Sequence, residues 1–201
     1  MKTVAKIISS IFHPLLMPII GLLVIFNTDS YINYAIDKET KIITLVLISI
    51  YTLIIPAFIA VLLRFARLIK SLEMETQKER VVPYLFTIIC YIVTLYQLQK
   101  APISPIIYNF MIGATLSVML AFIINISWKI SAHMIGVGGL IGALFCVAIL
   151  LEVYITPYIV ASILVAGLIG SSRLILKAHT PAQIYCGLAV GIFCQYIILY
   201  F

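Results

Sequence analysis

Long apolar runs separated by short polar breaks dominate this chain. The run 42–63 is apolar on every face, as a helix is only when lipid or protein surrounds it completely. Strands that cross a membrane would instead alternate apolar and polar residues over about ten positions. The pattern therefore predicts an all-α bundle of transmembrane helices, and its runs are 8–26, 42–63, 83–98, 103–126, 134–154, 158–176 and 181–201.

Two of these runs leave the number of spans open between six and seven. The first is interrupted by Pro14 and Pro18, and the third has only 16 residues where a span needs about 20, so either could be re-entrant or tilted. Lys2 and Lys6 precede the first run as they would in a signal peptide. Because no convincing small-residue cleavage site follows the run, we expect it to be retained as a span.

Composition supports the same fold class and excludes several functions. Of the 201 residues, 64% are hydrophobic and 10% are charged, which leaves room for a single integral membrane domain, 1–201, and no soluble module. The net charge of +6 is dispersed, without the dense basic runs and interleaved aromatics of a nucleic-acid-binding protein. The four cysteines lie in apolar runs without a CxxC pair, so neither a disulfide framework nor a zinc site is indicated.

Small residues predict which helices pack most closely. Glycines recur along the fifth, sixth and seventh runs, where they allow close helix packing. We therefore expect these three helices to form the inner bundle.

The few polar residues near helix ends form two clusters. Charged and imidazole groups at membrane depth cost several kcal/mol, so each needs a partner or a function. Two spans separate the clusters, an even number, which puts both on the same side of the membrane. The candidate residues are Lys129, Ser131 and His133 before the fifth run, and Arg173, His179 and Gln183 before the seventh.

These residue types suit the transfer of a phosphoryl group. Arg173 and Lys129 could neutralise a phosphate, and two histidines could divide nucleophilic attack from protonation of the leaving group. If Pro181 marks the first turn of the last helix, His179 lies at a helix N-terminus, where an anion is favoured. A third histidine, His13, precedes Pro14, and there we expect a kinked helix with a bonded histidine.

The spacing of these residues resembles a known family. Ser172-Arg173, five residues, His179, three residues and Gln183 resemble the third motif of the type 2 phosphatidic acid phosphatase superfamily, SRxxxxxHxxxD. Ser131-Ala132-His133 resembles its second motif, PSGH. The resemblance, carried mostly by the C-terminal 75 residues, implies that His179 is the nucleophile forming a phosphohistidine and His133 the general acid. It also implies that Arg173 and Ser131 bind phosphate.

The chain departs from the family pattern at several positions. Gln183 replaces the Asp that orients the nucleophile, so no negative charge stabilises an imidazolium there, and turnover could be slow or absent. Ala132 replaces a glycine. Of the first motif, KxxxxxxRP, only Arg80 is carried over, as a phosphate ligand, and Glu73 occupies the expected Lys position.

The leading hypothesis is a membrane lipid phosphatase that hydrolyses a phosphomonoester or diphosphate. We expect it to need no metal or other cofactor, because the cations supply the charge stabilisation. The alternative is a catalytically weak or inactive relative that binds or transports a phosphorylated lipid. A channel or secondary transporter would predict mid-membrane charges and an inverted repeat, and the sequence shows neither. The expected partners are the bilayer and the lipid substrate, and the sequence indicates no oligomeric state.

Basic residues give a prediction about orientation. With seven spans and a cytoplasmic N-terminus, ten lysines and arginines lie on the side of the clusters and three lie opposite. Leaving out Arg80, Lys129, Arg173 and Lys177, the basic residues near the two clusters and the first motif, makes this six against three, which favours a cytoplasmic site. The family resemblance implies the outer face for many bacterial members, so the side stays open. The expected location is the bacterial inner membrane.

Overall fold

The computed structural model describes residues 1–201 as a bundle of seven apolar helical spans, without strands. Their bounds are Lys2–Asn27, Lys38–Phe65, Gln77–Leu98, Pro105–Ser127, Ala132–Leu150, Thr156–Ile175 and Pro181–Tyr200. The predicted all-α transmembrane fold is confirmed. The sequence left the number of spans open between six and seven, and the structure has seven.

The first two spans are interrupted helices. The first comprises α1 (Lys2–Ile11), a 3-10 turn (Pro14–Leu16) and α2 (Met17–Asn27), because Pro14 has no N–H to continue the α-helical pattern. A short helix α3 (Tyr31–Ala35) follows, and the second span joins α4 (Lys38–Ser49) to α5 (Ile55–Phe65) through a π-helical segment (Ile50–Ile54). Pro56 cannot donate to the carbonyl one turn earlier, which accounts for the local widening.

The third span, α6 (Gln77–Leu98), has 22 residues and is long enough to cross a membrane. Its apolar run is shorter because the first turn is polar. Thr76 and Glu79 form a capping box there, each side chain bonding the other's backbone N–H, so the helix begins before the apolar residues do. Arg80 is thereby placed inside the helix, one turn from its start.

The last four spans, α7 (Pro105–Ser127), α8 (Ala132–Leu150), α9 (Thr156–Ile175) and α10 (Pro181–Tyr200), surround the centre of the bundle. α8 is the most buried span. A Cβ added to Gly142 would lie 2.8 Å from Ile192 O, and one added to Gly187 would lie 2.9 Å from Ser131 O, so α8 and α10 are in backbone contact. The sequence predicted close packing of three helices, α8, α9 and α10, and the structure shows backbone contact between α8 and α10. In α9, however, Gly167 faces outward with no neighbour within 4 Å.

Candidate functional site

A cavity of about 570 Å³ opens at the end of the bundle where the third, fifth and seventh spans begin. Its wall comes from the broken first span, the second span near Pro56, the loop before α6, and the ends of α6, α8 and α9. Of the seven residues predicted for the site, four line this cavity: Arg80, His133, Arg173 and His179.

Arg80 joins two loops beneath the cavity. Its Nε donates to Met74 O at 2.9 Å, and its Nη1 donates to Ile130 O at 3.1 Å. Because the side chain is only 7% exposed, these backbone carbonyls hold a buried charge that has no carboxylate partner. The loop before α6 and the loop before α8 are thus fixed to one guanidinium on the cavity wall.

Arg173, unlike Arg80, makes no side-chain hydrogen bond within the protein. It lies in the last turn of α9, is 6% exposed, and its Nε is buried without a hydrogen-bond partner. The one ion pair in the chain joins Lys6 and Glu73 at 3.5 Å, both on the cavity wall, so Arg173 is paired with no carboxylate. A buried, unpaired guanidinium is unfavourable unless an anion accompanies it.

The nucleophile predicted from the sequence is oriented by the cap of α10. Thr180 and Gln183 form a capping box, in which Gln183 Oε1 accepts from Thr180 N at 3.1 Å and lies 3.0 Å from His179 Nδ1. A backbone N–H can only donate, so the amide atom facing it must be the oxygen. His179 therefore carries its proton on Nδ1, and Nε2 keeps a free lone pair.

The environment of His179 keeps its imidazole neutral. Burial, followed by the charge of Arg80, lowers the pKa of His179 from 6.5 to about 3; Arg173 and Lys129 lower it further, and the Gln183 hydrogen bond acts in the opposite direction. A group with this pKa gains its proton only as the pH falls towards about 3.

We therefore predict that the His179 imidazole does not titrate between pH 5 and 8. Nitrogen-15 NMR of histidine-labelled protein should show constant Nδ1 and Nε2 shifts for His179 across this range. The spectrum of the Arg80→Gln variant should show the inflection moved to higher pH, because the positive charge that lowers the His179 pKa most is gone. A His179 inflection near 6.5 in the wild type would contradict this account of its surroundings.

His133 is held by the end of the first helix. Its Nε2 lies 3.1 Å from Ser9 O. α1 ends at Ile11, so the Ser9 carbonyl lacks its α-helical partner, and the His133 Nε2–H takes that place. Nδ1 is then the ring nitrogen left for proton transfer at the cavity.

Three of the predicted residues, Lys129, Ser131 and Gln183, do not line the cavity. Ser131 is fully buried with its Oγ unpartnered, and its N–H donates to Gln183 O at 3.4 Å, so the turn before α8 packs on the start of α10. Lys129 is half-buried; burial, then Arg80 and Arg173, lower its pKa. Gln183 contacts the site through its hydrogen bond with His179 Nδ1. The structure thus gives Ser131 and Lys129 no place on the wall itself.

Sequence reasoning did not place the third histidine, His13, at the cavity. The expected interruption of the first helix is present, and His13 Nδ1 accepts from Leu15 N at 3.4 Å, but the side chain also lines the cavity. The available signal was its position, since His13 is the only ionisable side chain within the first apolar run.

A second, apolar cavity of about 110 Å³ lies against the first. Its wall includes Phe110, Leu140 and Gly139, and the two cavities share the wall residues Pro14, Leu15, Tyr84, Thr87 and Ala132. The charged cavity therefore adjoins an apolar extension into the bundle.

Searches against protein-family models, curated proteins and solved structures found no match. The chemistry of the cavity is consequently inferred from its own residues.

Proposed function

We propose that this chain is a membrane lipid phosphatase, a divergent member of the type 2 phosphatidic acid phosphatase superfamily in the bacterial inner membrane. The observation that carries the proposal is the cavity in which Arg80 and Arg173, both buried and without a carboxylate partner, lie with the free Nε2 of His179. Two unpaired guanidiniums favour a ligand with at least two negative charges, as a phosphate has.

In the proposed reaction His179 Nε2 attacks phosphorus, and the bond between phosphorus and the lipid oxygen breaks. His133 Nδ1 takes a proton from solvent once the bound phosphate offsets the charge of the two arginines, and gives it to the leaving oxygen while Ser9 O holds Nε2–H. Water then attacks the phosphohistidine and passes a proton to His133 Nδ1. Inorganic phosphate leaves, and His179 returns to its starting tautomer, held by Gln183.

A catalytically weak relative that binds or transports phosphorylated lipid is the second candidate, and Gln183 favours it. The amide orients His179 but brings no negative charge to stabilise the ring as positive charge develops on it. Binding by the two arginines does not depend on that charge, so a relative of this kind would keep affinity while losing rate.

The deciding experiment is phosphate release by purified protein in nanodiscs, without added metal, from a panel of lipid monophosphates and diphosphates. Release from at least one lipid, with a phosphohistidine trapped by rapid acid-free quenching, supports the phosphatase. Wild-type protein that binds lipid phosphate but releases none, with release restored by Gln183→Asp, supports the weak relative. Absence of both binding and release contradicts the two candidates together.

The adjoining apolar cavity supports a lipid as the substrate. Its volume of about 110 Å³ leaves room for the first few methylene groups of an alkyl chain. For comparison, a water molecule in the liquid occupies about 30 Å³. Since each buried methylene contributes about 0.8 kcal/mol, filling this space should favour long-chain alkyl phosphates over short-chain ones.

We predict that Gly139→Leu discriminates between substrates by chain length. A Cβ at Gly139 has its nearest neighbours at 3.9 Å, and Gly139 lies on the wall of the apolar cavity, so the rest of a leucine side chain is expected to extend into that space. kcat/KM for a long-chain lipid phosphate should fall about tenfold or more, while that for ethyl phosphate changes little. Gly167→Leu, on the outer surface of α9, is the matched control. Equal losses on both substrates would argue against this cavity as a chain-binding site.

A further inference from the structure

All three histidines of this chain line one cavity. His13, His133 and His179 come from the first span, the fifth span and the loop before the seventh, and the sequence contains no other histidine. Two of them have roles in the proposed reaction. The third lies in an apolar span, where an imidazole is unfavourable without a partner or a function.

The break in the first span determines how His13 is presented. Its backbone is extended (φ −66°, ψ 140°), and its Nδ1 caps the 3-10 turn by accepting from Leu15 N–H at 3.4 Å. A neutral imidazole that accepts through Nδ1 carries its proton on Nε2. The local fold therefore leaves His13 with an Nε2–H, for which the protein provides no hydrogen-bond partner.

The same break also positions His133. In a continuous helix the Ser9 carbonyl would accept from the backbone N–H of His13; here it accepts from His133 Nε2 at 3.1 Å. The rings of His13 and His133 meet edge to face, with centroids 5.5 Å apart and planes at 76°. One interruption thus brings two imidazoles together on the cavity wall. Non-helical backbone at membrane depth is tolerated where it lines such a cavity.

We propose that His13 is a further substrate-binding residue, donating its Nε2–H to an oxygen of the phosphate held by Arg80 and Arg173. This inference rests on the proposed function. As a neutral donor, His13 contributes a hydrogen bond and keeps its proton, so it stabilises the bound anion without replacing His133 as the acid. A shared metal is a less suitable explanation, because no group of three or more His, Cys, Asp or Glu side chains is arranged to hold an ion.

Orthovanadate, a phosphate mimic, provides a test that needs no turnover. Because the chain has only three histidines, nitrogen-15-labelled protein in nanodiscs gives three imidazole spin systems. Each is assigned from a variant in which that one histidine is replaced. Orthovanadate should shift the Nε2–H of His13 together with the signals of His179. In His13→Asn, whose side chain can still cap the turn, orthovanadate should bind about 10- to 100-fold more weakly while the thermal midpoint stays close to that of wild type.

The outcomes separate this inference from the function on which it rests. If the His179 signals shift but those of His13 do not, or if folded His13→Asn binds orthovanadate as wild type does, His13 is a cap alone and the inference fails. If no imidazole responds and no lipid phosphate is hydrolysed, the proposed function fails and the inference with it. Should His13→Asn not fold, the wild-type spectrum decides by itself.

Discussion

Replacing His179 with alanine is expected to abolish phosphate release, with a loss of at least about 10⁴-fold in kcat. The variant removes the nitrogen that makes the proposed attack, His179 Nε2, whose lone pair is free because Gln183 holds the proton on Nδ1. His133 does not substitute in the proposed reaction, because its Nε2–H is bonded to Ser9 O and its Nδ1 carries the proton for the leaving oxygen. Steady-state phosphate release in nanodiscs measures the loss, and no phosphohistidine should be trapped.

The control for this variant must leave the cap of α10 intact. Thr180 and Gln183 bond each other's backbone independently of the imidazole, so His179→Ala should keep its fold and its thermal midpoint. Thr180→Ser retains the cap and the nucleophile, and should retain activity. If His179→Ala kept more than a tenth of the wild-type rate, His179 would not be the nucleophile.

The sequence predicted the spans well because lipid imposes a strong rule on composition. A helix surrounded by hydrocarbon must be apolar on every face, and this signal is independent of tertiary packing. The sequence left the first and third spans open, and in α6 the reason is that polar residues of the capping box extend the helix beyond its apolar run. The π-helical segment at Ile50–Ile54 was not predicted, since one proline can be accommodated in several ways.

The sequence predicted only part of the site, because spacing and the parity of the spans locate some of its residues and tertiary packing locates the others. Arg173 and His179 are close in sequence, and an even number of spans places His133 at the same end of the bundle, so parity and spacing were sufficient for these. His13 joins them through the packing of the first span against α8 and α9, which spacing does not encode. Ser131 lies behind the wall because Gly187 lets α10 pack directly on its turn.

The second large effect is expected from Arg173→Leu, which should lose activity and gain stability. kcat/KM for a lipid phosphate should fall about 10³-fold or more, as when an arginine that stabilises phosphoryl transfer is removed. Without ligand, the variant should unfold about 2–6 °C above wild type, because a buried guanidinium with an unpartnered Nε is replaced by an apolar side chain of similar volume. Thermal unfolding and phosphate release, measured on the same preparations, test both effects.

A fall in activity together with a rise in the unfolding midpoint would identify Arg173 as a charge that is retained for binding although it lowers stability. Arg64→Leu is the matched control, since it removes the same group from an exposed position at the end of the second span and should change neither quantity much. Orthovanadate should raise the unfolding midpoint of wild type and of Arg64→Leu, and leave Arg173→Leu unchanged, because only a protein that binds the anion is stabilised by it. If Arg173→Leu unfolded at a lower temperature than ligand-free wild type, the guanidinium would have a stabilising partner within the protein. The main argument that the cavity binds an anion would then fail.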